Sequence, residues 1–83
     1  MKLTVLTPEI EYYSGEIKGI IVPGNKGEFK VLDNHAPIIS SLSTGKVQII
    51  ENSGDVREFS INTGFIEVLN NEVALLVNGL SDE

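Results

Sequence analysis

His35 is the one histidine of the chain, and it stands in the stretch KVLDNHAPII, residues 30–39, close to Asp33 and Ser40. Serine, histidine and aspartate are the residue types of a nucleophilic triad, in which a carboxylate orients the imidazole that deprotonates the hydroxyl. Three such residues crowded into one extended segment do not converge, which argues against that chemistry. Glu28, Asp33 and His35 are ligand types that zinc accepts, yet one histidine with two carboxylates describes an ordinary polar loop, so no metal is expected. STGKV, residues 43–47, looks like the end of a phosphate-binding loop, but Ser40 replaces the first glycine and Val47 the magnesium-holding hydroxyl. Lys26, in GNKGE, is the only candidate for a biotinyl- or lipoyl-type attachment site on a hairpin. Carrier lysines usually follow Met or Asp, and Lys26 follows Asn25. No catalytic residue and no cofactor are expected.

The elements that must position these side chains are strands. KLTVLT, EIKGIIVP (16–23), EFKVL (28–32), KVQIIE (46–51), VREFSIN (56–62), FIEVL (65–69) and EVALLV (72–77) are short and rich in Val, Ile and Phe, and most alternate at period two. Turn residues lie between them: Pro8, Ser14-Gly15, Pro23-Gly24 as a type II turn, Thr44-Gly45, Asn52–Asp55 as a hairpin loop, Thr63-Gly64 and Asn70-Asn71. No segment has helical periodicity, with at most a single helical turn near residues 37–41. The pattern predicts one all-β domain over residues 1–83, an antiparallel sandwich or barrel. For His35 two readings stand side by side. Asn34, His35 and Pro37 suit a shaped corner, and a polar loop on a rigid sandwich is also where binding concentrates.

Composition excludes several functions. The net charge is −6, and Lys46 and Arg57 are the only lysine and arginine after residue 33. No basic cluster exists to hold nucleic acid or anionic lipid, so contact with a membrane is expected only through another protein. There is no cysteine for a disulfide or thiolate site. No apolar run reaches the roughly 18 residues that cross a bilayer, and the start lacks a signal peptide's apolar segment, so it reads as mature sequence. With two tyrosines, three phenylalanines and no tryptophan, the stacking platform of a carbohydrate-binding module is thin.

One pattern exceeds what a small sandwich needs, since a sandwich strand buries one face and wets the other. Ile20 and Val22 oppose Ile17 and Ile21; Ile66 and Val68 oppose Phe65 and Leu69; Ala74 and Leu76 oppose Val73, Leu75 and Val77. Ile50 adds to the surplus. Some of it must lie on an outer face, which marks an interaction site. Tyr12 and Tyr13, adjacent in a strand, point to opposite faces, so one is expected near the surface.

LTVLTPE, SGE, GEFKVLDNHAP, STGKV and GFIEVLNNEV, in this order, resemble the amino-terminal domain of the epsilon subunit of F-type ATP synthase over nearly all of the chain. GEFKVLDNHAP is the specific element. The resemblance implies a flattened antiparallel β-sandwich of about ten short strands in a non-catalytic subunit of the rotor's central stalk. Such a subunit binds the gamma subunit and the polar loops of the membrane c-ring, coupling proton-driven rotation to ATP synthesis. It implies c-ring-facing roles for Glu28 and His35, on one loop, and gamma-facing roles for Tyr12, Ala36 and Ile39. The implied location is peripheral, at the cytoplasmic face of the bacterial inner membrane. The sequence departs from the family at Lys30, usually glycine, and at Asp33, often proline. It also stops before the carboxyl-terminal helical hairpin of most bacterial relatives, so the hairpin's regulatory properties are not assigned to it.

Overall fold

Alternation decides which face each strand buries, and the computed structural model, described over residues 1–82, follows it closely. Eight strands form among the described residues: β1 (Lys2–Leu6), β2 (Glu11–Gly24), β3 (Gly27–Leu32), β4 (Ile38–Leu42), β5 (Gly45–Glu51), β6 (Val56–Ile61), β7 (Thr63–Leu69) and β8 (Glu72–Asn78). In β7 every second residue is buried, with Gly64, Ile66 and Val68 turned in and Phe65, Glu67 and Leu69 turned out. β8 buries Val73, Leu75 and Val77 in the same rhythm.

The all-β expectation holds, and the strand count is smaller than ten because β2 is long and serves two layers. Its first half pairs with β1, from Lys2↔Glu16 to Leu6↔Glu11. Its second half pairs with β3 on one side and β5 on the other, after a register break between Ile17 and Gly19. One layer therefore runs from the first half of β2 through β1, β8 and β7 to β4; the other holds β3, the second half of β2, β5 and β6. Leu3, Val5, Ile20, Val22, Val31, Val47, Ile49, Phe59, Ile61, Ile66 and Leu75 meet between the layers as one core. β1 is antiparallel to β2 but parallel to β8, the one exception to the antiparallel rule, because it is inserted between its own hairpin partner and a strand reached much later.

Four local expectations are corrected. Thr63-Gly64, read as a turn, is the start of β7, opposite Asn78 and Val77. Ser14-Gly15 is no turn: both lie in β2, opposite Thr4 and Leu3. Pro23-Gly24 is also strand; the turn falls two residues later, at Asn25-Lys26, between Gly24 and its partner Gly27, which takes φ 125°. Residues 38–42 form β4 rather than a helical turn. Full pairing with β7, from Ile38↔Val68 to Leu42↔Gly64, and two consecutive β-branched isoleucines favour the extended form. The Asn52–Asp55 hairpin loop and the Asn70-Asn71 turn stand as expected, with both Asn70 and Asn71 left-handed at φ 50° and 62°.

Candidate functional site

The chemistry first sought around His35 is dispersed. His35 Nδ1 lies 2.7 Å from the Ala36 carbonyl oxygen, to which it donates as the Nδ1-protonated tautomer. The Ser40 hydroxyl donates to the Ser41 carbonyl at 3.2 Å, and Asp33 Oδ1 accepts from the Met1 ammonium at 2.8 Å. Each member of the imagined triad is thus bonded elsewhere. No group of three metal-ligand side chains forms among the described residues. Glu28 is separated from Asp33 and His35 by the length of β3.

That separation corrects the reading of Glu28 and His35 as one loop. Glu28 sits at the β2–β3 hairpin end, opposite Pro23 and beside exposed Asn25 and Lys26. His35 is half-buried at the far end, in the 33–37 loop. This loop is tied down at three successive residues. Asp33 holds the Met1 ammonium, the Asn34 N–H donates to Asn71 Oδ1 at 2.8 Å, and the His35 N–H donates to the Leu32 carbonyl at 3.2 Å. Asn34 sits at φ 64°, a left-handed position that asparagine tolerates. The Met1 ammonium is further bonded to the Ile17 carbonyl and paired with Glu16. Its hydrogen bond to Asp33, aided by both carboxylate charges, raises its pKa above the ordinary value despite some desolvation. Sequence reasoning took Asn71 for a turn residue alone, and no local pattern marks its amide as a partner for a residue 37 positions away.

The larger feature is a face. On the outside of the first layer, cross-strand register lines up Leu6, Leu76 and Phe65, followed by Ser41 on β4. The next row holds Thr4, Ala74, Glu67 and Ile39, and the row after it Lys2, Glu72 and Leu69. Ile39 is 74% exposed and Phe65 59%, with Leu69 and Leu76 about half. A groove of about 580 Å³ runs beside Leu6, Pro8, Phe65 and Leu76. A smaller one, of about 320 Å³ between Pro37–Ile39 and Glu67–Leu69, carries the apolar surface into the His35 loop. The surplus read from double-sided strands is therefore real in β7 and β8, and Ile39 of β4, not read as part of it, extends it. In β2 it is not, because the register break turns Ile17 into the core.

Tyr12 and Tyr13 depart from the simple alternation: both are half-buried, rather than one inside and one at the surface. The Tyr12 ring meets Phe59 edge-on at 5.2 Å, and its hydroxyl donates to Asp82. Tyr13 donates to Glu51 under Arg57, whose guanidinium lies 5.4 Å from the ring centroid. Burial, then the carboxylate partner, raises both phenol pKa values. Of the gamma-facing candidates, Ala36 and Ile39 are exposed, whereas Tyr12 packs against the core.

The described residues thus form a strand sandwich with a broad exposed apolar face and a braced polar loop beside it. The chain matches the family described as ATP synthase, Delta/Epsilon chain, beta-sandwich domain, over residues 1–82, and it belongs to that family. It is 40% identical over 79 residues to the ATP synthase epsilon chain of Helicobacter pylori strain P12, covering 95% of this chain and 63% of the relative. The epsilon chain of Chlorobium limicola is 36% identical over 80 residues, covering 96% of this chain and 91% of that one. The chain thus spans less than two thirds of the Helicobacter relative and most of the Chlorobium one. The fold recurs in the Euglena gracilis mitochondrial ATP synthase, OSCP/F1/c-ring, at TM-score 0.90 and 21% identity, over 95% of this chain and 51% of the other. It recurs too in the Tetrahymena thermophila mitochondrial ATP synthase central stalk/c-ring, at TM-score 0.82 and 21% identity, over 98% and 65%. The carrier alternative at Lys26, an exposed hairpin lysine, has no support in these matches.

Proposed function

We propose that this chain is a non-catalytic central-stalk subunit of an F-type ATP synthase, holding the gamma subunit to the c-ring so that proton-driven rotation reaches the catalytic subunits. The supporting observation is the exposed row Leu6–Leu76–Phe65 with Ile39 and Leu69, an apolar face that a rotor neighbour covers. Gamma takes this face, together with Ala36 and the His35 loop, which the Pro37–Leu69 groove joins to it. Tyr12, braced by Phe59 and Asp82, serves the fold behind the face. Glu28, with Asn25 and Lys26, forms the exposed polar end that suits the polar loops of the c-ring. His35, at the opposite end of β3, moves from the c-ring side to the gamma side. The location is peripheral, on the side of the membrane where the catalytic subunits lie, the cytoplasmic face in a bacterium.

The experiment is size-exclusion chromatography of the folded chain with purified gamma subunit. Co-elution is expected, and its loss when Ile39 and Phe65 carry charges. Separate elution of two folded proteins contradicts the assignment.

A further inference from the structure

We infer that Asn71, in the β7–β8 turn, is the positioning residue that holds the 33–37 loop in its docking form; the inference rests on the gamma-facing reading of that loop. The loop adjoins the apolar face but has no regular backbone pairing of its own, so its shape depends on bonds from outside. Asp33 is held by the Met1 ammonium at 2.8 Å, the Asn34 N–H by Asn71 Oδ1 at 2.8 Å, and the His35 N–H by the Leu32 carbonyl. The Asp33 bond reaches Met1, just ahead of β1, and the Asn71 bond ties the loop to the β7–β8 turn. Through it, β7 and β8 set where Ala36 and His35 stand relative to Phe65, Leu69 and Leu76. A loop already held in its bound shape does not lose that freedom on association, and a loop sampling other shapes weakens apparent affinity by the fraction of time spent in the competent one.

The turn makes a clean variant available. Asn71 is left-handed at φ 62° and follows left-handed Asn70. Asn71→Gly therefore creates an Asn-Gly pair, a sequence preferred in such hairpin turns. The Lys2 N–H bond to the residue 71 carbonyl also remains possible, since it uses main chain only. The substitution removes the side-chain acceptor and leaves the hairpin intact. Asn71→Asp keeps an acceptor at the same place and tolerates the same conformation.

The test has two readings on one set of proteins: amide hydrogen exchange of Asn34 by NMR, and affinity for purified gamma subunit by surface plasmon resonance. A neutral hydrogen bond corresponds to roughly a 2- to 10-fold change in equilibrium. Asn71→Gly is expected to speed Asn34 exchange and weaken gamma binding by about 5-fold each, with the unfolding midpoint unchanged or higher, and Asn71→Asp to restore both. Unchanged exchange in Asn71→Gly overturns the clamp. Faster exchange with unchanged affinity overturns its role in docking, and so does a failure of Asn71→Asp to restore binding. If the wild-type chain itself does not bind gamma, the reading beneath the inference has failed and the docking role falls with it.

Discussion

The Met1 ammonium nitrogen and Asp33 Oδ1 lie 2.8 Å apart, joining the start of β1 to the end of β3 at the one place where both meet β2. The ammonium pKa is raised in the folded protein, first by its hydrogen bond to Asp33. A basic group held above its unfolded value, near 8.0, lends stability that is complete below that value. This stability disappears as the pH climbs through the folded value. Urea midpoints measured between about pH 7 and 9.5 are therefore expected to fall in the wild type and to fall less in Asp33→Asn. The range stops below the titration of Tyr12 and Tyr13, whose raised values remove stability only at higher pH. Parallel pH profiles for the two proteins would show that the pair carries no linkage.

The exposed apolar row gives a test by contrast between the two outer faces. Phe65→Asp places a charge in the middle of the row, whereas Val56→Asp places one on the second layer, at a residue similarly exposed. Both side chains are solvent-facing, so both variants are expected to fold with midpoints near the wild type. Central residues of an interface carry most of its energy, at about 2 kcal/mol or more each. Phe65→Asp is accordingly expected to weaken gamma binding about 30-fold, and Val56→Asp by less than about 3-fold, in the same resonance measurement. Equal effects would place the docking face elsewhere.

What could be read in advance here was the local part. Period-two alternation in β7 and β8 and the Asn70-Asn71 turn were legible because each is a property of neighbouring residues. The excess of apolar residues was legible too, but not its arrangement. Leu6, Leu76 and Phe65 form a row only because β1 lies parallel to β8 in one particular register, and register is set by the whole sheet. The same limit hid β4, whose Ile38-Ile39 start is extended through pairing with β7. It hid the course of β2 as well, where Ser14-Gly15 reads as a turn until β1 is seen beside it. Placing Glu28 and His35 on one loop failed because β3 is a full strand that drives its two ends apart.

Gly64 and Gly15 separate glycines that the fold requires from glycines it tolerates. A Cβ on Gly64 would stand 2.7 Å from the Leu76 carbonyl oxygen and 3.0 Å from a Val77 methyl, in the middle of the β7–β8 pair. The nearest obstacle is backbone, which cannot step aside without breaking the ladder. Gly64→Ala is expected to destabilise the protein by about 1–3 kcal/mol, the range of overpacking in a filled interior. A Cβ on Gly15 meets only the Tyr13 ring, at 3.6 Å or more, which is ordinary contact. Gly15→Ala is therefore expected to be neutral or to stabilise by up to about 1 kcal/mol, through reduced freedom of the unfolded chain. Urea unfolding of the two variants checks both signs.

Tyr12 distinguishes packing from docking, because resemblance marks it as gamma-facing while its ring rests on Phe59 and its hydroxyl on Asp82. The hydroxyl bond is exposed, so Tyr12→Phe exchanges it for water at little loss, less than about 1 kcal/mol. Tyr12→Ala removes the half-buried ring and its edge contact, which costs about 2–4 kcal/mol, somewhat below a fully buried aromatic. Docking makes a different demand. If Tyr12 acts only through the fold, Tyr12→Phe leaves gamma affinity within about 2-fold of wild type, as does Tyr12→Ala measured well below its unfolding midpoint. A large loss of affinity in Tyr12→Phe, with stability kept, would return the hydroxyl to the interface and extend the gamma surface around the edge of the first layer toward Asp82.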